Sequence, residues 1–184
     1  MNELGRHCVA PPFFRRTVVI LAAQRWIASL AVIAAILMSG GLRAAEIGDR
    51  VVWSDVTLID GRVLRASELV GKAVVVEFWA TWCPFCAAQN PHIQKLHALQ
   101  AGKGLVVLSF SIDRDMDLVR SYMAARNYSF SAAMAGPQSN AWFGRRRALP
   151  EVFVVDAGGR IVFKELGEMF EEDVAALARF SVRQ

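Results

Sequence analysis

The chain has 184 residues, 54% of them hydrophobic, and a formal net charge of +4, which is room for one domain and a leader. The charge does not point to nucleic acid. Residues 1–45 hold five Arg and one Glu, whereas residues 46–184 hold sixteen basic and sixteen acidic side chains. The basicity belongs to the leader, and the remainder carries no excess that would call for a polyanionic partner.

Residues 1–45 read as a short cytoplasmic tail followed by a hydrophobic signal or anchor. Arg6, Arg15, Arg16 and Arg25 precede the uninterrupted apolar stretch Trp26 to Met38. That distribution puts the N-terminus in the cytoplasm and the rest of the chain outside. Counted over residues 17–42, the segment serves either as a cleaved signal or as a tether in the inner membrane. Ser39-Gly40-Gly41 and Ala44-Ala45 supply small residues for cleavage, but neither forms a clean A-x-A. The retained anchor is the reading taken. Beyond residue 45 the cysteines are an even pair, Cys83 and Cys86, which suits an oxidising compartment and a periplasmic location.

Residues 46–184 read as one α/β domain with a mixed sheet. Trp53 to Leu58 and Arg62 to Leu64 flank Ile59-Asp60-Gly61, a hairpin signal. Ala66 to Leu69 is a short turn or helix. Ala73 to Trp79 is too continuously apolar for a half-exposed strand and fits a central strand buried on both faces. Cys83 to Gln100 is a helix in which Pro91 predicts a kink. Leu105 to Ile112 is a second buried strand. Met116 to Arg126 is a helix with Asp113 and Asp115 as cap candidates. Phe130 to Met134 is a short strand, Ser139 to Gly144 one helical turn, and Glu151 to Asp156 with Arg160 to Leu166 a second hairpin around Ala157-Gly158-Gly159. Phe170 to Arg179 closes the chain as a helix.

The chemistry centres on Phe78-Trp79-Ala80-Thr81-Trp82-Cys83-Pro84-Phe85-Cys86. Two cysteines three apart, where a strand gives way to a helix, can close a small disulfide ring. Free N–H groups and the positive end of the helix macrodipole face the first sulfur. That favours thiolate and makes Cys83 the nucleophile, with Cys86 resolving the mixed disulfide. A structural disulfide and half a zinc site are the competing readings. Zinc asks for four ligands, and neither Cys8 nor the three histidines stand at ligand spacing. Glu77 interrupts Val74-Val75-Val76 before Phe78, and a carboxylate in a doubly buried strand is costly without a task or a partner. The competing reading has its carboxylate reaching solvent at the strand edge, or pairing with Lys72 or an Arg.

The block Trp79-Ala80-Thr81-Trp82-Cys83-Pro84-Phe85-Cys86 resembles the W-A-x-W-C-x-x-C signature of the thioredoxin superfamily. The N-terminal hairpin, and the helix and strand inserted between Leu105–Ile112 and Pro150, resemble the membrane-anchored TlpA/ResA/CcmG-type branch. This resemblance implies a thioredoxin-like fold over about residues 46–180, judged by element order. It implies that Glu77 is a general base for Cys86 with a raised pKa. It also implies a cis peptide at Pro150, facing the two cysteines. Trp82, Pro84, Phe85, Leu149 and Pro150 would form the client-docking surface. Gln89 stands where many of these proteins carry an acid, so a carboxylate is absent there. Arg145-Arg146-Arg147, just before the proline loop, reads as a solvated charge run, with thiolate stabilisation or steering of an acidic client as the alternative.

The function expected is an exported thiol–disulfide oxidoreductase, a periplasmic reductase of specific client disulfides in cytochrome c maturation or a similar pathway, fed by a membrane electron donor. No cofactor beyond the Cys83–Cys86 pair is expected, and no metal. Two alternatives stand beside it: a dithiol oxidase of the same fold, and a copper chaperone using both thiolates as soft ligands.

Overall fold

The computed structural model describes residues 44–181. Of the leader expected over residues 1–45, residues 1–43 lie outside the described residues, and among those described no helix is long and apolar enough to cross a membrane.

Among the described residues, seven strands and five α-helices follow in chain order. A small antiparallel hairpin, β1 (Val56–Thr57) and β2 (Val63–Leu64), comes first, with Gly61 at φ 87° in its turn. It is followed by α1 (Ala66–Leu69), β3 (Ala73–Trp79) and α2 (Pro84–Gln100). Then come β4 (Leu105–Ser111), α3 (Met116–Ala125), β5 (Ser131–Met134) and α4 (Pro137–Phe143). The chain closes with β6 (Glu151–Val155), β7 (Ile161–Leu166), α5 (Glu171–Ala176) and a 3₁₀ turn, Leu177–Phe180.

The main sheet has the order β5-β4-β3-β6-β7. β3 runs parallel to β4, and β4 parallel to β5, while β6 and β7 are antiparallel to their neighbours. β3 is therefore central, and all seven of its residues are buried. Its side chains alternate between two cores, as the period of a strand requires. Ala73, Val75 and Trp79 pack with Ile93 and Leu96 of α2 and Val119 of α3. Val74, Val76 and Phe78 pack with Phe143 of α4 and Phe153 of β6 on the other side. By the same alternation Glu77 faces the α2 side. The register Phe78↔Glu151 sets the start of β6 beside the end of β3, so the loop before β6 meets the turn that carries the cysteines.

Several boundaries differ from expectation. Of the two cap candidates only Asp115 caps α3, accepting from the Asp117 and Leu118 amides. The single turn expected at Ser139 to Gly144 is a seven-residue helix starting at Pro137, because Pro is pre-organised for the first helical position. The last helix tightens into a 3₁₀ turn after Ala176, a common way for a helix to end.

Candidate active site

Cys83 is the N-cap of α2, and Pro84 opens the helix. The Cys86 amide donates to Cys83 Sγ at 3.1 Å, so the first sulfur receives one of the helix's otherwise orphaned N–H groups. Cys83 and Cys86 are joined as a disulfide with their Cα atoms 5.2 Å apart. Their exposures differ in kind. Cys83 is 4% exposed and lines a surface groove, whereas Cys86 is 0% exposed and does not.

The turn before Cys83 is held from β4. Asp113, just past the end of that strand, accepts from the Thr81 amide at 2.9 Å and from Thr81 Oγ1 at 2.7 Å. Ser111 Oγ donates to the same carboxylate at 2.6 Å. Trp79 is a packing residue: it is buried, and its indole N–H donates to Ser109 Oγ at 3.1 Å.

Glu77 is wholly buried. Neither Lys72 nor an arginine pairs with it among the described residues; an amide does. Gln89 Nε2 donates to Glu77 Oε1 at 2.7 Å, and Gln89 Oε1 accepts from the Met169 amide at 2.7 Å. Asn90, its amide oriented to satisfy its neighbours, donates to Glu77 Oε2 at 3.3 Å and to the Cys86 carbonyl at 3.1 Å. Burial away from water pushes the Glu77 pKa up to about 8, with the Gln89 hydrogen bond pulling the other way. The carboxyl is thus linked through one side chain to the backbone of the second cysteine.

The groove beside Cys83 has a volume of about 320 Å³ and is lined by Trp82, Pro84, Phe85, Ile112 and Leu149. Trp82 and Phe85 stand 66% and 57% exposed on its rim. The Leu149–Pro150 peptide is cis. Pro150 itself is buried, and it is Leu149, not Pro150, that lines the groove. A larger concavity of about 410 Å³ lies by β5, among Ile59, Arg120 and Tyr128, but no cysteine lines it.

The arginine run is not uniformly solvated. The Arg146 side chain is only 7% exposed, and it pairs with the equally buried Glu151. It also donates to the Phe143 carbonyl and, at 2.7 Å, to the Gly144 carbonyl. Its guanidinium lies 4.0 Å from the centre of the Phe78 ring, a cation–π contact. Arg145 and Arg147 are exposed.

Sequence reasoning missed Asn90 and the inward turn of Arg146, and read Asp113 only as a helix cap rather than as the anchor of Thr81. A signal for the amides was present. Cys86, Gln89, Asn90, Ile93 and Leu96 are the buried residues of α2, and their spacing is that of one helical face. Two amides on such a face need partners.

The redoxin family profile matches residues 48–179. The thiol–disulfide oxidoreductase ResA of a Bacillus cereus strain is 26% identical over 129 residues, covering 70% of this chain and 75% of its own. A thiol:disulfide interchange protein DsbE homolog of Paracoccus denitrificans is 27% identical over 135 residues, covering 72% and 73%. Among solved structures, a thiol:disulfide interchange protein of the thioredoxin family from Chlorobium tepidum TLS superposes with a TM-score of 0.67. It is 24% identical and covers 75% of this chain and 99% of its own. That likeness shows the architecture described above to be thioredoxin-like.

Proposed function

Because the chain belongs to the redoxin family and is a thiol–disulfide oxidoreductase, we propose that it works outside the cytoplasm as a reductase of specific client disulfides. The observation that carries this reading is the asymmetry of the two sulfurs. Cys83 accepts a helix N-terminal amide and opens onto a groove, while Cys86 is sealed beneath it next to the Glu77–Asn90 link.

In the reduced protein the Cys83 thiolate attacks one sulfur of a client disulfide. The client S–S bond breaks, a mixed disulfide forms, and the client's other sulfur leaves as a thiolate that takes up a proton. Cys86 then loses its proton to the Glu77 carboxylate and attacks Cys83 Sγ. The Cys83–Cys86 disulfide forms, and the client's second sulfur departs as a thiolate that takes up the proton held by Glu77. Two electrons have passed from this chain to the client, and a membrane electron donor must restore them. A Glu77 pKa of about 8 suits such an exchange near neutral pH. Leu149 and the aromatic rim would hold the client chain beside Cys83. The reductive direction and a role in cytochrome c maturation rest on the resemblance to the TlpA/ResA/CcmG-type branch. The export leader supports a periplasmic location with a tether through residues 17–42.

The deciding measurement is the reduction potential of Cys83/Cys86 in the full-length protein, equilibrated against dithiol buffers. A value near about −270 mV marks a reductase and one near about −120 mV a dithiol oxidase. Cys83→Ser must abolish insulin reduction and client trapping. Retained activity in that variant would overturn the assignment.

A further inference from the structure

The groove beside Cys83 is electrostatically one-sided. Its floor and rim are apolar, and the charged residues among its lining are Arg146 and Arg147. The two are not equivalent. The charge of Arg146 is offset by Glu151, with both side chains buried. Arg147 is exposed and has neither an ion pair nor a hydrogen bond among the described residues. Asp113, the nearest acid along the chain from Ile112, is turned to Thr81 and Ser111. The groove therefore presents apolar surface, a reactive sulfur and one uncompensated cation.

We propose that this groove selects client segments that carry an acidic side chain within a few residues of the reacting half-cystine, and that Arg147 is the group that reads it. The proposal rests on the thiol–disulfide exchange assigned above and names its substrate class. The client's apolar neighbours would cover Trp82 and Phe85, and its carboxylate would approach Arg147 across the groove. A carboxylate is the fitting partner because a guanidinium matches it in shape as well as charge. An exposed pair adds modest affinity, so the preference is one of rate and partner choice and weakens with salt.

The test uses the reduced full-length protein and short peptides, each closed by one disulfide and differing only in Asp, Asn or Lys beside one cysteine. Each reduction converts the peptide disulfide to two thiols and Cys83/Cys86 to the disulfide. Rates are divided by those for dithiothreitol, which removes the intrinsic reactivity of each peptide. The Asp peptide should be reduced about threefold faster than the Lys peptide at low ionic strength, the size expected for an exposed pair, and the ratio should shrink in high salt. Arg147→Gln should bring the ratio close to one and Arg147→Glu should invert it. Arg145→Gln, which removes the same charge outside the groove lining, should keep it. An equal ratio in the parent and Arg147→Gln, or an equal loss in Arg145→Gln, overturns the proposal while leaving the exchange activity standing. Failure of the parent to reduce any peptide overturns the exchange reading itself, and this proposal with it.

Discussion

Gln89 joins two parts of the chain that sequence keeps far apart: its Nε2 donates to Glu77 Oε1, and its Oε1 accepts from the Met169 amide, each at 2.7 Å. Glu77 is wholly buried, so the stronger influence on it is desolvation. The amides hold its position, and burial raises its pKa.

The first prediction concerns stability against pH. Burial raises the Glu77 pKa from an ordinary 4.5 to about 8. Between those values the folded chain keeps a proton that the unfolded chain has released. Stability therefore falls as the pH rises through that window and levels off above it. Glu77→Gln removes the titration and keeps a neutral, hydrogen-bonding side chain. Relative to the parent, the variant should gain on the order of a few kcal/mol between about pH 4.5 and 9, at ~1.4 kcal/mol per pKa unit. Urea midpoints of both proteins, oxidised, across that range would check this. Parallel curves would contradict it.

Replacing Gln89 with Leu should act on both of its partners. It leaves Glu77 Oε1 and the Met169 N–H buried without hydrogen bonds, at about 1–3 kcal/mol for each such group. Because the Gln89 bond lowers the Glu77 pKa, its loss should push the titration still higher and extend the falling window upward. Denaturation at several pH values measures the first effect. Amide exchange at Met169 measures the second partner, and it should speed up.

The central strand and the cysteine block were legible because their signals are local. An unbroken apolar run has one economical placement, the middle of a sheet, and β3 has the expected bounds, Ala73–Trp79. Glu77 was legible as an anomaly within that run. Gln89 was read only as a missing carboxylate, because its partner at Met169 is eighty residues away and nothing local announces it. Arg146 was hidden for a different reason. Three consecutive arginines carry no period that says which one turns inward. That choice is made by Glu151 and the Phe78 ring, both brought to it by the β3–β6 pairing.

The Arg146–Glu151 pair supports a third prediction. Burial pushes the Glu151 pKa up, while the Arg146 charge pulls it down. Arg146→Met leaves a buried carboxyl without its cation, which costs about 3–5 kcal/mol for pairs of this kind. Adding Glu151→Gln should recover part of that loss. The recovery is incomplete because the Phe143 and Gly144 carbonyls also lose their donor. A double-mutant cycle by chemical denaturation isolates the coupling. Strictly additive costs would mean that the two side chains do not depend on each other.

The last prediction links β4 to Cys83. Asp113 receives the Thr81 amide and hydroxyl, and Thr81 stands two residues before Cys83, whose Sγ must meet the Cys86 amide. Asp113→Ala removes both anchors at once and leaves the Thr81 N–H and the Ser111 hydroxyl without that acceptor. Stability should drop by about 1–3 kcal/mol. The more telling effect is chemical. In the reduced protein, iodoacetamide alkylation of Cys83 near neutral pH should slow, because a looser turn holds the sulfur less firmly against the helix amide that favours its thiolate. Thr81→Ser keeps the hydroxyl and the amide and should alkylate at the parent's rate. If Asp113→Ala lost stability but alkylated like the parent, Asp113 would only brace the fold and would not position the sulfur.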